Sequence, residues 1–450
     1  MSTTVPDHQT DLPGAHRPGS PEYDRLRVAW SPLADQRPAA IAEPADVPAV
    51  RSLVRGARAA GLRVAVQATG HGAAPLGPLD DVLLLRTGLL RGVTVDPETR
   101  VARVAAGCDG AELSAAAAAH GLAANVGMAP GVGVVGSLLG GGLGWLSRRY
   151  GLGARDVVAV ELVTADGALV RVDEDGDRDL LWALRGGGCG LGVVVALEVE
   201  LHPVADAHAG ALFWPIDRAG EVLRAWRAWC ADVTDEVTSV GRLLWVPPFP
   251  PAPEPLRGRA FVVVEAACLT DDPTAGALLA GLRALGPEID TFARVPAPAL
   301  AALHMDPPEP VPALLDHRLL DELPDAAIAA LVSAAAPPVV SVELRQLGGA
   351  LSTASGGEGA QTGLAGAFLA AGVSVVDGPD AGPARAALDA VVDALRPWES
   401  GRRFTNFAER PADRGRVRSP ATADRLRRIR AAWDPTGLFL SAHAPGTVDA

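Results

Sequence analysis

Short apolar runs alternate with amphipathic helical segments along the first 204 residues of the chain. The run RVAVQA at 63–68 predicts a buried strand, and the segment from Asp46 to Gly61 has the spacing and the N-cap residue of a helix. An Asp-Gly turn at 166–167 divides DVVAVELVTADGALVRV into two strands. Further strands are predicted in RPAAIAEP, DVLLLR, LLRGVTVDPETRVARVAAG and GVVVALEVELHPV, and further helices in AELSAAAAAHG and DLLWALRG.

The composition changes after residue 204. The next 196 residues contain five of the nine tryptophans and two proline-rich loops, WVPPFPPAPEP and HMDPPEPVP. Helices such as EVLRAWRAW and strands such as RAFVVVEAA and PVVSVELRQL predict a second α+β domain. The last part, from RRFTNF to RLRRIRAAWDPTGLF, predicts a strand and a helix that return to the first domain. The predicted divisions are an N-terminal arm at 1–22, a first domain at 23–204, a second domain at 205–400 and a returning segment at 401–450.

The glycine-rich stretch GVGVVGSLLGGGLGWL at 131–146 begins with the spacing G-x-G-x-x-G. This spacing, followed twenty residues later by Asp156, is typical of a Rossmann unit that binds a nicotinamide dinucleotide. Such a unit needs a strand that ends at the first glycine, but Pro130 stands there and cannot donate to a strand ladder. It also needs a helix after the last glycine, and the three glycines at 140–142 would cost a helix ~3 kcal/mol. The sequence therefore disfavours a nicotinamide-dependent reductase and indicates a long glycine-rich loop.

Two more glycine-rich turns lie in the same part of the chain. Gln67 to Gly72 follows a predicted strand, and Gly186 to Gly192 follows a predicted helix. Small residues let the backbone approach a ligand closely and leave successive N–H groups free to bind an anion. Three such turns in one β-rich domain predict a large, phosphate-bearing cofactor.

His71 stands between two glycines at the end of a predicted strand, with no bulky neighbour in sequence to pack against its ring. A metal site would need further ligands nearby, and the sequence shows none. An imidazole can instead act as a nucleophile and form a covalent bond to a cofactor. We therefore predict a cofactor tether at His71 and no metal.

The composition narrows the choice of partners and compartment. The net charge of −13, without a basic stripe, disfavours binding to nucleic acid. The N-terminus lacks the pattern of a signal peptide, and no apolar run is long enough to span a membrane. We expect a cytoplasmic monomer or homodimer that acts on a small molecule. The four cysteines are scattered singly and predict buried free thiols: Cys108, Cys189, Cys230 and Cys268.

Seven segments carry a family resemblance that runs from about Pro21 to Ala444: RPAAI, RVAVQATGHG, DGAELSAAAAAHGLA, GSLLGGGLGWLSRRYGL, VELVTADGALVRV, DLLWALRGGGCGLGVV and DPTGLF. In this order and spacing they resemble the berberine-bridge-enzyme-like FAD oxidoreductases of the vanillyl-alcohol-oxidase superfamily. The resemblance implies an α+β fold of two domains. One is a split FAD-binding domain of the vanillyl-alcohol-oxidase type, and the other is an α+β substrate domain with an antiparallel sheet.

The resemblance also implies which residues contact the cofactor. The diphosphate would lie on the turn from Gln67 to Gly72, and His71 would carry the flavin through an 8α-linkage. The segment from Pro130 to Gly144 would line the isoalloxazine and the diphosphate, and the strand at 193–194 would hold the adenine end. The residues expected to contact FAD are Gln67, Ala68, Thr69, Gly70, His71, Gly72, Pro130, Gly131, Val132, Gly136, Ser137, Gly141, Gly142, Val193, Val194 and Asn406.

Three departures from the family pattern change what the resemblance implies. Ala129 occupies the position of a second tethering cysteine, so a single covalent bond is expected. Gln67 replaces the usual arginine at the start of the first turn. A C-terminal tyrosine-x-asparagine motif begins here with Phe404, so the proton acceptor cannot be that tyrosine.

The proton acceptor must come from the second domain or from the C-terminal segment. On the strand SVELRQL, two apolar residues alternate with Glu343 and Arg345. If the apolar pair faces the core, the charged pair faces the opposite side. Gln346 is the alternative if the strand bends before the glycines that follow. The candidates for catalysis are Glu343, Arg345, Gln346, Asn406 and Val132. Glu409 follows in the C-terminal segment, and ordinary surface roles are expected for His304 and Asp306.

The chemistry implied by the resemblance is hydride transfer to FAD from a carbon next to oxygen or nitrogen, with a protein group accepting a proton. In relatives, valine at the position of Val132 accompanies oxidases and leucine accompanies dehydrogenases, because the smaller side chain leaves room for dioxygen. We therefore expect an FAD-dependent oxidase that forms hydrogen peroxide. The alternatives are a dehydrogenase with another electron acceptor and a flavin-binding protein without turnover. The tryptophans of the second domain indicate a bulky, ring-bearing substrate such as a natural product.

Overall fold

The computed structural model describes residues 12–443 apart from 78, 189, 251, 353–357, 411, 412 and 414. After a short helix α1 (Pro21–Leu26), the first domain begins with a three-stranded parallel sheet of order β1-β3-β2. Its strands are β1 (Ala40–Ala42), β2 (Arg63–Gln67) and β3 (Val82–Arg86). Helix α2 (Val47–Ala59) connects β1 to β2 and is capped by Asp46, as predicted.

A five-stranded antiparallel sheet follows, in the order β4-β5-β8-β6-β7. A single hydrophobic core joins it to the parallel sheet, because Leu53 of α2 belongs to the same buried cluster as Val104 and Leu197. The strands are β4 (Val93–Asp96), β5 (Val101–Ala105), β6 (Val157–Val163), β7 (Leu169–Asp173) and β8 (Val193–Glu200). The helices are α3 (Gly110–Ala118), α4 (Val134–Leu139), α5 (Ser147–Tyr150) and α6 (Arg178–Leu184).

The second domain is built on an eight-stranded antiparallel sheet. Its order is β12-β9-β11-β10-β15-β16-β14, and β13 also pairs with β9. The strands are β9 (Asp206–Pro215), β10 (Val237–Trp245), β11 (Ala260–Cys268), β12 (Ile289–Asp290), β13 (Ala293–Pro296), β14 (Ala313–Leu320), β15 (Val339–Gln346) and β16 (Phe368–Val375). The helices are α7 (Ala219–Asp232), α8 (Asp272–Arg283), α9 (Asp325–Ala334) and α10 (Gly382–Ala394). This confirms the predicted fold class.

Helices cover one face of this sheet, and the first domain packs against the other, which we call the inner face. On the helix side, Gly241 of β10 leaves room for the indole of Trp226, since a Cβ there would lie 2.8 Å from the ring. On the inner face, Val240 belongs to one buried cluster with Met128 and Trp145 of the first domain. Alternation along the strands therefore decides which side chains meet the first domain.

The tryptophans of the second domain do not line the inner face. All five pack in or against the core on the helix side: Trp214, Trp226, Trp229, Trp245 and Trp398. This corrects the expectation that they indicate a bulky substrate, because their rings fill the space between sheet and helices.

The C-terminal segment contacts both domains. From Ser400, whose N donates to Leu319 O at 2.8 Å, the chain runs along the open edge of β14 and protects that edge from other pairings. After helix α11 (Pro420–Trp433), Leu438 and Leu440 form backbone hydrogen bonds with Val64 of β2. The predicted helix is confirmed, but the predicted strand at RRFTNF is wrong. The chain there follows the β14 edge irregularly, with a 3-10 turn at 405–407, because its hydrogen bonds go to side chains and to the glycine-rich segment.

Three of the predicted free thiols are buried and unpaired: Cys108, Cys230 and Cys268. Burial raises the pKa of Cys230 and of Cys268 to about 12, so both thiols are protonated. The fourth, Cys189, and residues 1–11 of the predicted arm lie outside the described residues. None of the helices in the described part of the chain has the length and apolar character needed to cross a bilayer.

Candidate functional site

The first glycine-rich turn follows β2 directly and passes beneath the N-terminal segment. Gly70 has a φ of +91°, and a Cβ there would lie 3.1 Å from the backbone of Ala29 and of Trp30. A larger residue would force the N-terminal segment away from the turn. At Gly72, by contrast, a Cβ would meet no atom within 4 Å.

The imidazole of His71 stacks on the indole of Trp30, with ring centroids 4.3 Å apart and planes inclined by 23°. Burial lowers the pKa of His71 to about 4, and a hydrogen bond with the backbone of Gly131 acts in the opposite direction. The ring is half-buried overall, but its Nε2 is shielded from solvent and has no hydrogen-bond partner among the described residues. At neutral pH His71 is therefore an uncharged imidazole, the form that is nucleophilic.

A guanidinium group lies beside this turn although the turn itself begins with Gln67 and not with an arginine. Arg86 is paired with Gln67 across β2 and β3, and its Nη1 donates to the Oε1 of Gln67 at 3.1 Å. The same nitrogen donates to the carbonyl oxygens of Leu26 and Val28, each at 3.2 Å. Arg86 thus joins the N-terminal segment to the first turn.

The second glycine-rich segment contains a short helix. Helix α4 begins at Val134 and ends before Gly140, which corrects the prediction of an uninterrupted loop. Six residues are enough for a turn and a half of helix, and the glycines then end it. The chain enters Gly131 in a turn and not in a strand, so this segment lacks the geometry of a Rossmann unit.

This segment is held against the first turn and against α3. A Cβ at Gly133 would lie 3.1 Å from the Cβ of Ala68, and Gly133 N donates to Thr69 Oγ1 at 3.4 Å. Pro130 O and Val132 O accept hydrogen bonds from backbone N–H groups at the start of α3, each at 3.0 Å. The side chain of Val132 is half-buried. The first two turns therefore form one continuous backbone surface.

All three glycine-rich turns line one cleft. The cleft encloses about 460 Å³ of empty space, part of it open to solvent, and its walls are mostly apolar. Its lining includes Ala68 of the first turn, Val135 and Gly136 of the second, and 190–192 of the third. The structure thus brings together the turns that the sequence predicts to surround a large cofactor.

The cleft and its surroundings fit FAD. At Gly131 and Gly136 a Cβ would meet no atom within 4 Å, so a ligand can approach their backbones. Val194 lines the apolar part of the cleft, which suits a flat adenine ring. Val193, its neighbour on β8, is fully buried in the core, because successive strand residues face opposite sides. Contrary to expectation, the side chain of Val193 therefore does not line the cleft.

Asn406 joins the C-terminal segment to the glycine-rich segment. Its Nδ2 donates to Ser137 O at 3.0 Å, and its Oδ1 accepts from Gly142 N at 3.1 Å. A Cβ at Gly141 would lie 2.8 Å from the ring of Phe404, and one at Gly142 would meet a leucine at the same distance. Protein packing therefore suffices to require glycine at both positions, and the contact of these residues with FAD stays a prediction.

Strand β15 presents Glu343 and Arg345 on the inner face, as the alternation predicts. Val342 and Leu344 pack with Trp226 in the core on the helix side, so the residues between them face the first domain. Gln346 lies on the helix side too: its Nε2 donates to the carbonyl oxygen of a cysteine of α7 at 2.8 Å. This excludes Gln346 from the reaction site and corrects its candidacy.

Glu343 belongs to a buried charged cluster that spans three strands and a loop. Its Oε1 lies 2.9 Å from His304 Nε2, and its Oε2 lies 2.8 Å from Arg345 Nη2. His304 Nδ1 lies 2.5 Å from Glu265, which also pairs with Arg242 Nη1 at 3.2 Å. The five members are Arg242, Glu265, His304, Glu343 and Arg345, and we call them the inner-face charge cluster.

Burial and neighbouring charges decide the protonation states in this cluster. Burial lowers the pKa of His304, but the charges of Glu265 and Glu343 outweigh it and raise that pKa to about 9. Burial also raises the pKa of Glu343, but the charges of Arg345 and His304 outweigh it and hold the pKa well below its usual range. At neutral pH the cluster therefore contains three cations and two carboxylates.

Sequence reasoning missed three members of this cluster. His304 was expected on the surface but is 1% exposed, because its loop folds onto the inner face beside Trp145, whose ring centroid lies 6.4 Å away. Glu265 and Arg242 were not singled out, although each interrupts an apolar strand at an inward position, and that signal could have found them. No local pattern marks His304. Asp306 is exposed, as expected.

Glu409 is the acidic residue of the C-terminal segment that follows Asn406. Its Oε2 accepts a hydrogen bond from Leu315 N on the edge of β14 at 3.4 Å. Burial raises the pKa of Glu409 to about 7. Its hydrogen bond places it at the strand edge, where it helps to attach the C-terminal segment to the sheet.

The glycine-rich turns and the cleft fit an FAD-binding domain, and comparison with known proteins agrees. Residues 38–173 match the FAD binding domain family. Over 198 residues the chain is 33% identical to the (R)-6-hydroxynicotine oxidase of Paenarthrobacter nicotinovorans. The aligned stretch covers 44% of this chain and 43% of that relative. It is also 33% identical over 215 residues to the xylooligosaccharide oxidase of Thermothelomyces thermophilus, covering 46% and 41%. The matched stretches thus span less than half the length of these relatives.

Solved structures match over nearly the whole chain. The 6-hydroxy-D-nicotine oxidase of Arthrobacter nicotinovorans superposes with a TM-score of 0.81 and 25% identity, over 96% of this chain and 98% of that one. The berberine bridge enzyme of Eschscholzia californica shares the fold, with a TM-score of 0.84 and 19% identity over 98% of both chains. Residues 38–173 thus carry an FAD-binding domain, and the whole chain shares the fold of the 6-hydroxy-D-nicotine oxidase and of the berberine bridge enzyme.

Changing each of two glycines in the glycine-rich segment to alanine should have opposite effects on stability. Gly141→Ala should destabilise the fold by about 1–3 kcal/mol, because its φ of +123° and the contact with Phe404 both exclude a side chain. Gly136→Ala has room for its methyl group and lies in α4, so it should keep stability or gain up to ~1 kcal/mol. The added methyl should nevertheless lower FAD occupancy, because Gly136 lines the cleft.

The two variants are compared by the free energy of unfolding in urea and by the ratio of flavin to protein absorbance. Each variant is the control for the other. A Gly141→Ala protein as stable as wild type, or a Gly136→Ala protein with full FAD, would contradict the placement.

Proposed function

We propose that this protein is an FAD-dependent oxidoreductase that takes a hydride from a small organic substrate. The substrate is held between the glycine-rich segment and the inner face of the sheet. The observation that carries the proposal is the position of Glu343, an ionised carboxylate on the sheet face that packs against the FAD-binding domain. Charged groups with strongly shifted pKa values at such a domain boundary are typical of reaction sites.

When bound, FAD supplies the hydride acceptor. Glu343 accepts the proton that an O–H or N–H group of the substrate loses as the carbon–oxygen or carbon–nitrogen double bond forms. Arg345 and His304 hold Glu343 ionised and fixed in place. His304 is already protonated at neutral pH, so it positions Glu343 and does not act as the base.

The relatives support an oxidation reaction but do not identify the substrate. They are named as oxidases of 6-hydroxynicotine and of xylooligosaccharides, which are chemically unlike each other. Aromatic side chains do border the charge cluster, since Trp145 approaches His304 and Phe407 lies under Arg345. We therefore propose a ring-bearing small molecule, such as a natural product. The buried free thiols support a cytoplasmic protein, and we propose a monomer or homodimer.

Glu343→Gln should slow substrate oxidation by about 10²- to 10⁴-fold, because the amide cannot accept the proton. The measurement is anaerobic bleaching of the flavin by a panel of alcohols, sugars, amines, phenols and aromatic hydroxy acids, followed by stopped flow with the best substrate. In wild type, Glu343 stays an acceptor at any pH above its depressed pKa, so its protonation should cause no loss of rate between pH 6 and 8.

Glu221→Gln, at an exposed ion pair with Arg218, is the control and should behave as wild type. Flavin absorbance and unfolding curves check that Glu343→Gln retains FAD and the fold. Absence of bleaching by the whole panel, or equal rates in the two proteins, would refute the proposed reaction.

We also propose that His71 forms a single covalent bond to the flavin. Its neutral ring, its free Nε2 and its stacking on Trp30 support this role. Ala129 offers no second bond. Acid-precipitated wild-type protein should then stay yellow, and its intact mass should exceed the sequence mass by one FAD. His71→Ala should release the flavin into the supernatant, whereas the exposed control His120→Ala should retain it. Release of all flavin from wild type would disprove the bond.

Finally, we propose that dioxygen reoxidises the enzyme and that hydrogen peroxide forms. Val132 supports this, because its half-buried side chain lies in the segment that borders the cofactor cleft, and one added methylene there fills space that dioxygen needs. Val132→Leu should slow reoxidation at least tenfold when anaerobically reduced protein is mixed with air-saturated buffer. Val28→Leu, at an exposed valine, is the control. Slow reoxidation of wild type would favour a dehydrogenase with another acceptor.

A further inference from the structure

Arg345 is held by two neighbours that leave one end of its guanidinium group free. Its Nε donates to Glu343 Oε2 at 2.8 Å, and its Nη2 lies at the same distance from that oxygen. The guanidinium carbon lies 5.0 Å from the centroid of the Phe407 ring. The side chain is therefore fixed along one edge by Glu343 and on one face by Phe407.

The remaining nitrogen, Nη1, has no protein partner among the described residues. It is not one of the fully buried unpartnered atoms, so it stays accessible although the Arg345 side chain is only 9% exposed. Each of its two N–H groups can donate a hydrogen bond to a ligand that reaches the inner face. A fixed arginine with an accessible donor beside the proposed base is what a binding site for an anionic group requires.

The charge of the surroundings favours an anion as well. The inner-face charge cluster contains three cations and two carboxylates, so its buried members carry one net positive charge. The further acid near it, Asp306, is exposed and therefore screened by solvent. A substrate ammonium group would be repelled here, and a neutral sugar would leave the net charge uncompensated.

The space next to Arg345 is bordered by apolar side chains. Phe407 packs against a buried cluster that includes Phe404, Leu347 and Leu369. Leu369 is directly paired with Arg345 across β15 and β16. A ligand that reaches Nη1 therefore places its body against aromatic and aliphatic groups.

We propose that Arg345 binds the carboxylate of an aromatic or otherwise apolar organic acid, and that this contact orients the substrate towards Glu343. The inference rests on the proposed oxidoreductase, because it names the substrate class of the same site. A carboxylate fits better than a phenol, since carboxylic acids are ionised at neutral pH and ordinary phenols are not. Arg345 is thus a specificity-determining residue.

The test is a titration of the purified yellow holoenzyme with simple probes, followed through the visible absorption of the flavin. Benzoate carries the carboxylate and the ring, benzyl alcohol carries the ring alone, and benzylamine carries the opposite charge. Benzoate should perturb the flavin spectrum saturably, at a concentration at least tenfold lower than either other probe. Cyclohexanecarboxylate should bind as well, because the carboxylate and not the ring provides the recognition.

Arg345→Gln should weaken benzoate binding at least tenfold while keeping the flavin spectrum. Arg345→Lys should have an affinity between those of wild type and Arg345→Gln, because lysine keeps the charge but lacks the planar guanidinium group. The matched control is Arg259→Gln. Arg259 also lies over a phenylalanine ring, 4.5 Å from its centroid, but it is exposed and outside the charge cluster. The Arg259→Gln variant should bind benzoate with the affinity of wild type.

Several results would overturn the inference. They are no response of wild type to benzoate, equal binding of benzylamine, and unchanged benzoate affinity in Arg345→Gln. Loss of FAD from Arg345→Gln, with normal unfolding behaviour, would assign the guanidinium group to the cofactor. A colourless wild-type protein would refute the proposed function as well. A yellow protein whose flavin spectrum does not change with benzoate would refute this inference alone.

Discussion

The burial of five charged side chains between the eight-stranded sheet and the first domain is the constraint on which the reaction site depends. Removing an unpaired ion from water costs several kcal/mol, so each member must lie against a partner of opposite charge. The pairs join β10, β11 and β15 to the loop that carries His304. The same contacts therefore hold the loop on the inner face and keep Glu343 ionised. Stability and reactivity are coupled here, because removing one charge leaves its partner buried and unpaired.

On the cofactor side, the corresponding constraint is close approach of backbones. The first and second glycine-rich turns touch through Gly133 and Ala68, and the N-terminal segment presses on Gly70. Asn406 then closes the second turn from the C-terminal segment. Segments that are distant in sequence thus form one surface. A cofactor as long as FAD needs such a surface, since it must contact backbone along its whole length.

These two constraints explain why the family likeness is uneven along the chain. The match to the FAD binding domain family ends at residue 173, whereas a solved relative at 25% identity superposes over 96% of the chain. The close backbone contacts of the first and second turns require small residues there. The second domain has to keep only its apolar alternation and helix packing, so its inner face is free to change with the substrate.

The sequence by itself determined the class of fold, the three glycine-rich turns, the isolated His71 and the side of β15 on which Glu343 and Arg345 lie. All of these follow from local rules: strand alternation, turn residues and caps. Only the tertiary structure decided that Gln346 faces the helices and that the second domain's tryptophans fill a core. It also decided that the loop of His304 folds onto the inner face, where the imidazole lies between two carboxylates. Those positions depend on contacts between segments far apart in the chain, and no local pattern encodes which buried charge will meet which.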